Sequence, residues 1–235
     1  MSDASTVQKP KVERIPSGIE GLDELIEGGF PKKSAILISG NAGTGKTIFL
    51  SQYLWKGLQL GDNCLFVTLE ETPEEIKDDA ILFGWDFSKY ESTGQFRIEY
   101  FDPFELGDLA TRLEDMIRVN NYTRVAIDST ALFGMYINDL YKIRKTLFKL
   151  IEGVKKTDAT ILMSTEIPEG SNQLSRFGVE EFVCDGVIVL YYTGLGEGVF
   201  RNIEIRKMRR TNHKNGTFPM EITDKGIVVK MNTLL

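Results

Sequence analysis

The stretch Gly40-Asn41-Ala42-Gly43-Thr44-Gly45-Lys46-Thr47 decides how this chain is read. It follows an apolar run, Ala35 to Ser39, and opens a helical pattern at about residue 46, the setting in which G-x-x-x-x-G-K-[ST] has a physical meaning. Glycines at 40, 43 and 45 let backbone N–H groups curl around phosphates, and the helix N-terminus adds positive potential there. Lys46 is placed to reach the β and γ phosphates, and the Thr47 hydroxyl to ligate Mg²⁺. Gly40 to Ile48 is thus the expected nucleotide-binding segment, with Lys46 serving catalysis as well.

Working outward, the metal side of such a loop needs a carboxylate at the end of a neighbouring strand, and Arg124-Val125-Ala126-Ile127-Asp128-Ser129 supplies one. Asp128 is the expected Mg²⁺ partner of Thr47. An apolar strand ending in Asp also suits a helix cap, so the assignment leans on the loop upstream. Glu70 and Glu71 close the run Cys64 to Leu69 and are the candidate catalytic carboxylates, Glu70 preferred for orienting water. Glu71 also suits a helix N-terminus ahead of Pro73. In a parallel sheet the C-terminal ends of neighbouring strands share one edge, so Gly40, Glu70 and Asp128 are expected to converge. Ser164, Thr165 and Glu166, at a further strand end, are placed to sense the γ-phosphate. Lys207 and Arg209 alternate along a late strand and so share a face from which they could reach a neighbouring subunit's nucleotide. A cation supplied in trans is worth roughly 10³ to 10⁵ in rate where it is used.

The rest of the chain predicts an α/β fold. Residues 1–14 are polar and aperiodic and read as a flexible arm, followed by one domain over residues 15–235. Apolar runs at Ala35 to Ser39, Cys64 to Leu69, Phe96 to Phe101, Arg124 to Asp128, Thr160 to Ser164 and Val187 to Tyr191 suit strands buried on both faces. Helical patterns near 46–60, 73–83, 107–120 and 138–156 alternate with them, which predicts a mostly parallel sheet flanked by helices. After Tyr191 come three short strands without helices, Arg201 to Lys207, Phe218 to Ile222 and Gly226 to Lys230, expected to add antiparallel strands at the C-terminal end.

Composition narrows the chemistry. Two cysteines, Cys64 and Cys184, and one histidine, His213, leave no disulfide framework and no zinc cluster, so a metal would be held by oxygen. No run approaches the roughly 18 apolar residues of a membrane span, and the first residues lack a signal peptide's apolar segment. A cytoplasmic protein is expected. The net charge of −6 argues against indiscriminate wrapping of nucleic acid. Two local basic groups stand out: Lys142, Arg144, Lys145 and Lys149, and Arg206, Lys207, Arg209, Arg210 and Lys214.

The lead-in Ile15-Pro16-Ser17-Gly18-Ile19-Glu20-Gly21-Leu22-Asp23-Glu24-Leu25, then Gly28-Gly29-Phe30-Pro31 and the loop, resembles the motif shared by the RecA, RadA and KaiC families. Thr68 to Glu71, Ser164 to Glu166, Gly178 to Asp185 and Lys207 to Arg209 extend a likeness to KaiC-type domains over nearly the whole chain after residue 14. The resemblance implies a RecA-like P-loop core and ATP with Mg²⁺ bound between subunits of a hexamer or filament. It further implies slow hydrolysis by Glu70 and Glu71, with Lys207 and Arg209 acting across the interface. It also brings two loops, Thr130 to Asp139 and Ile167 to Phe177, to positions where RecA-like recombinases touch single-stranded DNA. Arg176 and Phe177 there offer charge and a stacking face, and Arg210 and Lys214 are further candidate DNA contacts.

Departures from these families also carry meaning. RecA-like recombinases place a glutamine where Thr165-Glu166 stands, and the short arm leaves no room for the N-terminal helical domain of RadA recombinases. KaiC phosphorylates adjacent Ser and Thr residues that align here with Glu180 and Glu181, so that reaction is not expected, and a clock role would need a second domain. The leading expectation is a RadA paralogue that binds single-stranded DNA and modulates recombination or repair beside the main RadA-type recombinase. The alternative is a KaiC-like regulatory ATPase whose nucleotide state controls protein assembly without DNA contact. A third reading is a structural ATP-binding subunit with silent catalytic groups.

Overall fold

A computed structural model describes residues 11–102, 109–195 and 198–231. The first ten residues of the expected arm, and the first two of the helix expected over 107–120, lie outside the described residues.

The chain enters through β1 (Arg14–Ile15), α1 (Leu22–Leu25) and β2 (Phe30–Pro31), with β1 and β2 paired antiparallel. β3 (Ala35–Gly40), α2 (Lys46–Gln59), β4 (Cys64–Thr68), α3 (Pro73–Ile81), α4 (Ser88–Glu91) and β5 (Phe96–Tyr100) follow. Then come α5 (Leu109–Asn120), β6 (Arg124–Asp128), α6 (Phe133–Tyr136), α7 (Leu140–Lys155), β7 (Thr160–Glu166) and α8 (Glu180–Val183). The chain closes with β8 (Gly186–Leu195), β9 (Gly198–Met208), β10 (Thr217–Thr223) and β11 (Gly226–Val229).

Nine strands form one sheet in the order β11-β10-β9-β8-β3-β7-β6-β4-β5. The six strands from β8 to β5 are mutually parallel and β9 to β11 antiparallel, as the pattern along the chain predicts. The central strands are buried along their length because each face carries its own core. In β3, Ile36 and Ile38 join the layer with α2 and α3, while Ala35 and Leu37 join the opposite layer with α5 and α7. No described helix is long and apolar enough to cross a membrane.

Local chemistry sets the helix starts. Thr72 accepts from Glu75 N while the Glu75 carboxylate accepts from Thr72 N, a reciprocal cap that starts α3 with Pro73 in its first turn. Asp139 accepts from Tyr141 N and Lys142 N at the start of α7. α2 differs: Gly45 precedes it at φ 102°, with no side-chain cap, so its first N–H groups are left for a ligand. A Cβ at Gly45 would also come within 3.0 Å of Ile222 Cδ1.

Some short elements escape the sequence pattern. β1, β2, α1, α4, α6 and α8 span two to four residues each, too few to display a period. The hairpin β8–β9 runs on to Leu195 and Gly198, past the expected end at Tyr191, because antiparallel pairing continues after the apolar run stops.

A buried charge fastens the lead-in segment to the sheet. Arg124, 1% exposed at the start of β6, donates from Nε to Asp62 at 2.7 Å and from Nη1 to the carbonyls of Pro16 and Tyr53 at 2.8 and 3.1 Å. Its guanidinium lies over the Tyr53 ring, 4.9 Å from the centroid. Gly57 makes room for it, since a Cβ there would stand 2.4 Å from Arg124 Cδ. Replacing Asp62 with Asn should strand a buried cation and cost about 2–3 kcal/mol in chemical unfolding. That lies below the roughly 3–5 kcal/mol of a fully buried pair because Asp62 is partly solvated. A loss under about 0.5 kcal/mol would show that the carbonyls alone satisfy Arg124.

Candidate nucleotide site

The parallel register brings the expected groups to one edge. Gly40 pairs with Glu166 and with Leu190, and Thr68 pairs with Asp128. At that edge the Thr47 hydroxyl donates to Asp128 Oδ2 at 2.6 Å, and the Ser164 hydroxyl donates to Asp128 Oδ1. Since its proton is committed to Asp128, the Thr47 oxygen keeps its lone pairs for a cation. Ser129 Oγ donates to Glu70 Oε1 at 2.6 Å, which orients that carboxylate beside Asp128. Thr68 Oγ1 donates to the Glu71 carbonyl at 2.7 Å and holds the turn that carries both glutamates.

Lys46 lies inside its own loop, donating to the carbonyls of Gly40 and Asn41 at 3.1 and 2.9 Å. Burial pushes its ammonium below the ordinary value, while Glu166, Asp128 and Glu70 pull it back up. Glu71 is displaced the other way: burial raises its carboxyl, and Asp128, Asp79, Glu70 and Glu75 raise it further. One of its oxygens, Oε2, is buried with no hydrogen-bond partner. The loop is tied down from two sides. Asn41 Nδ2 donates to the Ile167 carbonyl at 3.1 Å, and Tyr192 donates its hydroxyl proton to the Gly43 carbonyl at 2.5 Å. Arg201 in turn donates to the Tyr192 oxygen at 2.9 Å, a brace that lay outside the sequence reading because nothing in the loop motif points to β8 or β9.

The donor set fits Mg²⁺: a hydroxyl and a carboxylate are hard oxygen ligands, with a second carboxylate nearby in Glu71. Among the described residues no group of three or more His, Cys, Asp or Glu side chains is arranged to hold an ion. Such an ion would therefore complete its shell with water and phosphate oxygens.

The sensor cluster is divided. Side chains alternate along β7, so Ser164 and Glu166 face the nucleotide edge, where they act on Asp128 and Lys46. Thr165 faces the other way and donates to Glu180 Oε1 at 3.2 Å. Glu180 is 1% exposed and is satisfied by Ser175 Oγ at 2.7 Å and the N–H groups of Phe177 and Val179 at 3.3 and 3.1 Å. A glutamate reads as a surface residue in sequence, so this buried knot gave no signal there.

Lys207 and Arg209 stand at the opposite end of the sheet from the loop. Met208 pairs with Gly186, and Gly186 with Ile36 near the start of β3, whereas the loop follows the end of β3. Neither residue belongs to this chain's own nucleotide edge. Lys207 Nζ donates to the carbonyls of Glu181 and Cys184 at 2.9 and 2.6 Å, and burial first, then Arg209, lowers its ammonium below the usual value. Arg209 lies just past the strand end, donates to Asp185 at 3.3 Å and leaves its side chain 55% exposed.

The residues advanced for DNA do not form one surface. Arg176 N donates to Thr165 Oγ1 at 3.4 Å, near the loop edge, and the Phe177 ring packs against Gly134 at the rim of the α5–α7 core instead of standing free to stack. Arg210 and Lys214 follow β9 at the far end. There the Arg210 carbonyl accepts from Arg14 at 3.0 Å, and Lys214 N donates to the Leu25 carbonyl at 2.9 Å. The basic stretch after β9 thus lies at the end of the sheet opposite Arg176 and Phe177, because β9 runs antiparallel to β8.

Comparison with known proteins agrees with this geometry. Residues 15–233 match the family described as ATPase: KaiC. The chain is 36% identical over 230 residues to the circadian clock protein KaiC3 of Synechocystis, covering 93% of this chain and 46% of that protein. It is 38% identical over 233 residues to the circadian clock oscillator protein KaiC of Prochlorococcus marinus, covering 94% and 46%. It thus spans about half the length of these curated relatives. The crystal structure of a KaiC-like protein from the hyperthermophilic archaeon Pyrococcus horikoshii superposes with a TM-score of 0.86 at 39% identity, covering 94% of this chain and all of that one.

Proposed function

The chain belongs to the KaiC family of ATPases, and from that membership we propose that it binds and hydrolyses ATP and that its nucleotide state controls assembly of protein subunits. The observation that carries this reading is the hydrogen-bonded set Thr47–Asp128–Ser164 beside Ser129–Glu70, on the edge where the phosphate loop ends its strand. Mg²⁺, when bound by Thr47 and Asp128, would offset phosphate charge. The loop N–H groups and Lys46 hold the phosphates in line. Glu70, fixed by Ser129, orients a water whose oxygen bonds to the γ-phosphorus as the bond to the ADP oxygen breaks. Glu71 takes the water's proton: its raised carboxyl and unpartnered oxygen give it the stronger claim as base, although sequence order favours Glu70. Arg209 and Lys207 serve the site of a neighbouring copy.

The recombination reading gives way to the regulatory one. Arg176 and Phe177 lie near the loop edge while Arg210 and Lys214 lie at the far end of the sheet, and the relatives named above are KaiC proteins. The test is light scattering on the eluting protein in Mg²⁺-ATP, in Mg²⁺-ADP and without nucleotide, with phosphate release measured on the same samples. An assembly larger in ATP than in ADP, with phosphate released, is expected. A size indifferent to nucleotide would remove the regulatory reading, and no phosphate release would remove the hydrolase.

A further inference from the structure

The brace on the phosphate loop comes from the C-terminal hairpin, outside the loop's own motif. Leu190 of β8 pairs with Gly40, so that strand runs on beside the loop and carries Tyr192 past its start. Tyr192 and Arg201 oppose each other directly in the β8–β9 register. Leu190 and Ile203, two residues away on each strand, belong to the core layer with α2, so both side chains stand on that same face. The Arg201 guanidinium lies 5.1 Å from the centroid of the Tyr192 ring and donates from Nη2 to the phenol oxygen at 2.9 Å. A guanidinium only donates, so the phenol's single proton is left for the Gly43 carbonyl, 2.5 Å away. A charged donor on the phenol oxygen also strengthens the bond that the phenol gives.

What that bond fixes follows from the backbone. Gly43 and Gly45 lie at φ 73° and 102° with Thr44 between them, and glycines that accept either sign of φ leave the neighbouring peptide planes easy to turn over. The Asn41 carbonyl is held within the motif, by Thr44 Oγ1 at 2.8 Å and Lys46 Nζ at 2.9 Å. The Gly43 carbonyl is held by Tyr192, whose oxygen would stand 3.3 Å from a Cβ at Gly43. A trans peptide points its C=O and its N–H in opposite directions. Holding the Gly43 carbonyl against the hairpin therefore turns the Thr44 N–H away from it, into the loop that is to receive phosphate.

We propose that Tyr192 is a positioning residue for the nucleotide: its hydroxyl pins the Gly43–Thr44 peptide so that the Thr44 N–H already faces the phosphates before ATP or ADP arrives. This deepens the nucleotide reading above and rests on it. A loop ordered in advance has less freedom to lose on binding, so the hydroxyl raises affinity. Among the described residues that hydroxyl bonds Gly43 and Arg201, not Glu70, Glu71 or Asp128, so the chemistry of bound ATP does not depend on it. Because such loops cradle the β and γ phosphates, ATP and ADP gain alike.

Tyr192→Phe tests it, since it keeps the ring beneath Arg201 and removes only the hydroxyl. Gly43 is exposed, so water takes over the freed carbonyl and the variant should melt with the wild type. Calorimetric titration with Mg²⁺-ADP, well below the melting transition, should show Kd raised roughly three- to tenfold, the span of one neutral hydrogen bond. In steady-state phosphate release KM for Mg²⁺-ATP should rise by the same factor while kcat stays at the wild-type value, the signature of lost uniform binding. A hydroxyl that served only the fold would lower the melting temperature and leave this split absent. Wild-type Kd and KM in Tyr192→Phe overturn the proposal, and so does a fall in kcat with Kd unchanged, which would place the hydroxyl in the chemistry. The nucleotide reading is read separately on the wild type. If the wild type binds Mg²⁺-ADP and the variant binds it equally well, the positioning role alone fails. A wild type that binds neither nucleotide overturns both.

Discussion

Lys46→Ala is expected to lower kcat/KM for ATP hydrolysis by about 10² to 10³, the scale seen when one preorganised group facing developing charge is removed. Two features support a large effect. The ammonium is held within the loop by the Gly40 and Asn41 carbonyls, so its position is set before phosphate arrives. Glu166, Asp128 and Glu70 act against the desolvation that would discharge it. Those same carbonyl contacts are local to the loop, so the variant should keep its fold and melt close to the wild type. Steady-state phosphate release with a parallel ATP-binding titration measures both quantities. Turnover within a few-fold of wild type would take Lys46 out of the chemistry.

Glu71→Gln should cut kcat by roughly 10² to 10⁴ with little change in ATP affinity, the signature of a lost general base. Glu70→Gln and Ser129→Ala should each cost less, since both act on the water's orientation. The pH dependence separates the two glutamates. Because burial and neighbouring carboxylates raise the Glu71 carboxyl, the rising limb of kcat should lie above the ordinary glutamate value of about 4.3 and disappear in Glu71→Gln. Stability carries the matching sign. Between the ordinary and the raised value the folded state binds the extra proton, so wild-type stability falls as pH rises through that window, and the Gln variant lacks that fall. A rising limb unchanged in Glu71→Gln would return the base assignment to Glu70.

Much of this was legible along the chain because the signals are local. The phosphate loop, Thr47, the strand ends at Glu70 and Asp128, and the apolar runs of β3 to β7 depend on residue type and spacing over a few positions. The parallel order of those strands then places their C-terminal ends together, whatever the packing details. The lead-in and later motifs carried the family resemblance in the same way, which is why the fold class and the nucleotide edge follow from residues alone.

Other features depend on where distant segments come to rest. Alternation on β7 sends Thr165 into a buried knot with Glu180, dividing a cluster that is continuous in sequence. β9 carries Lys207, Arg209 and Arg210 to the end of the sheet opposite the loop, so a basic run shares no surface with Arg176. Glu71 acquires its raised carboxyl only because the fold buries it among other carboxylates, and Arg124 its role as a fastener only because Asp62, Pro16 and Tyr53 close around it. Sequence by itself determined the elements and the edge where ATP chemistry is expected, since periodicity and turn chemistry act over a handful of residues. Tertiary structure alone decided which side chains face that edge and which stand at the opposite end of the sheet, because strand direction and burial are properties of the folded sheet.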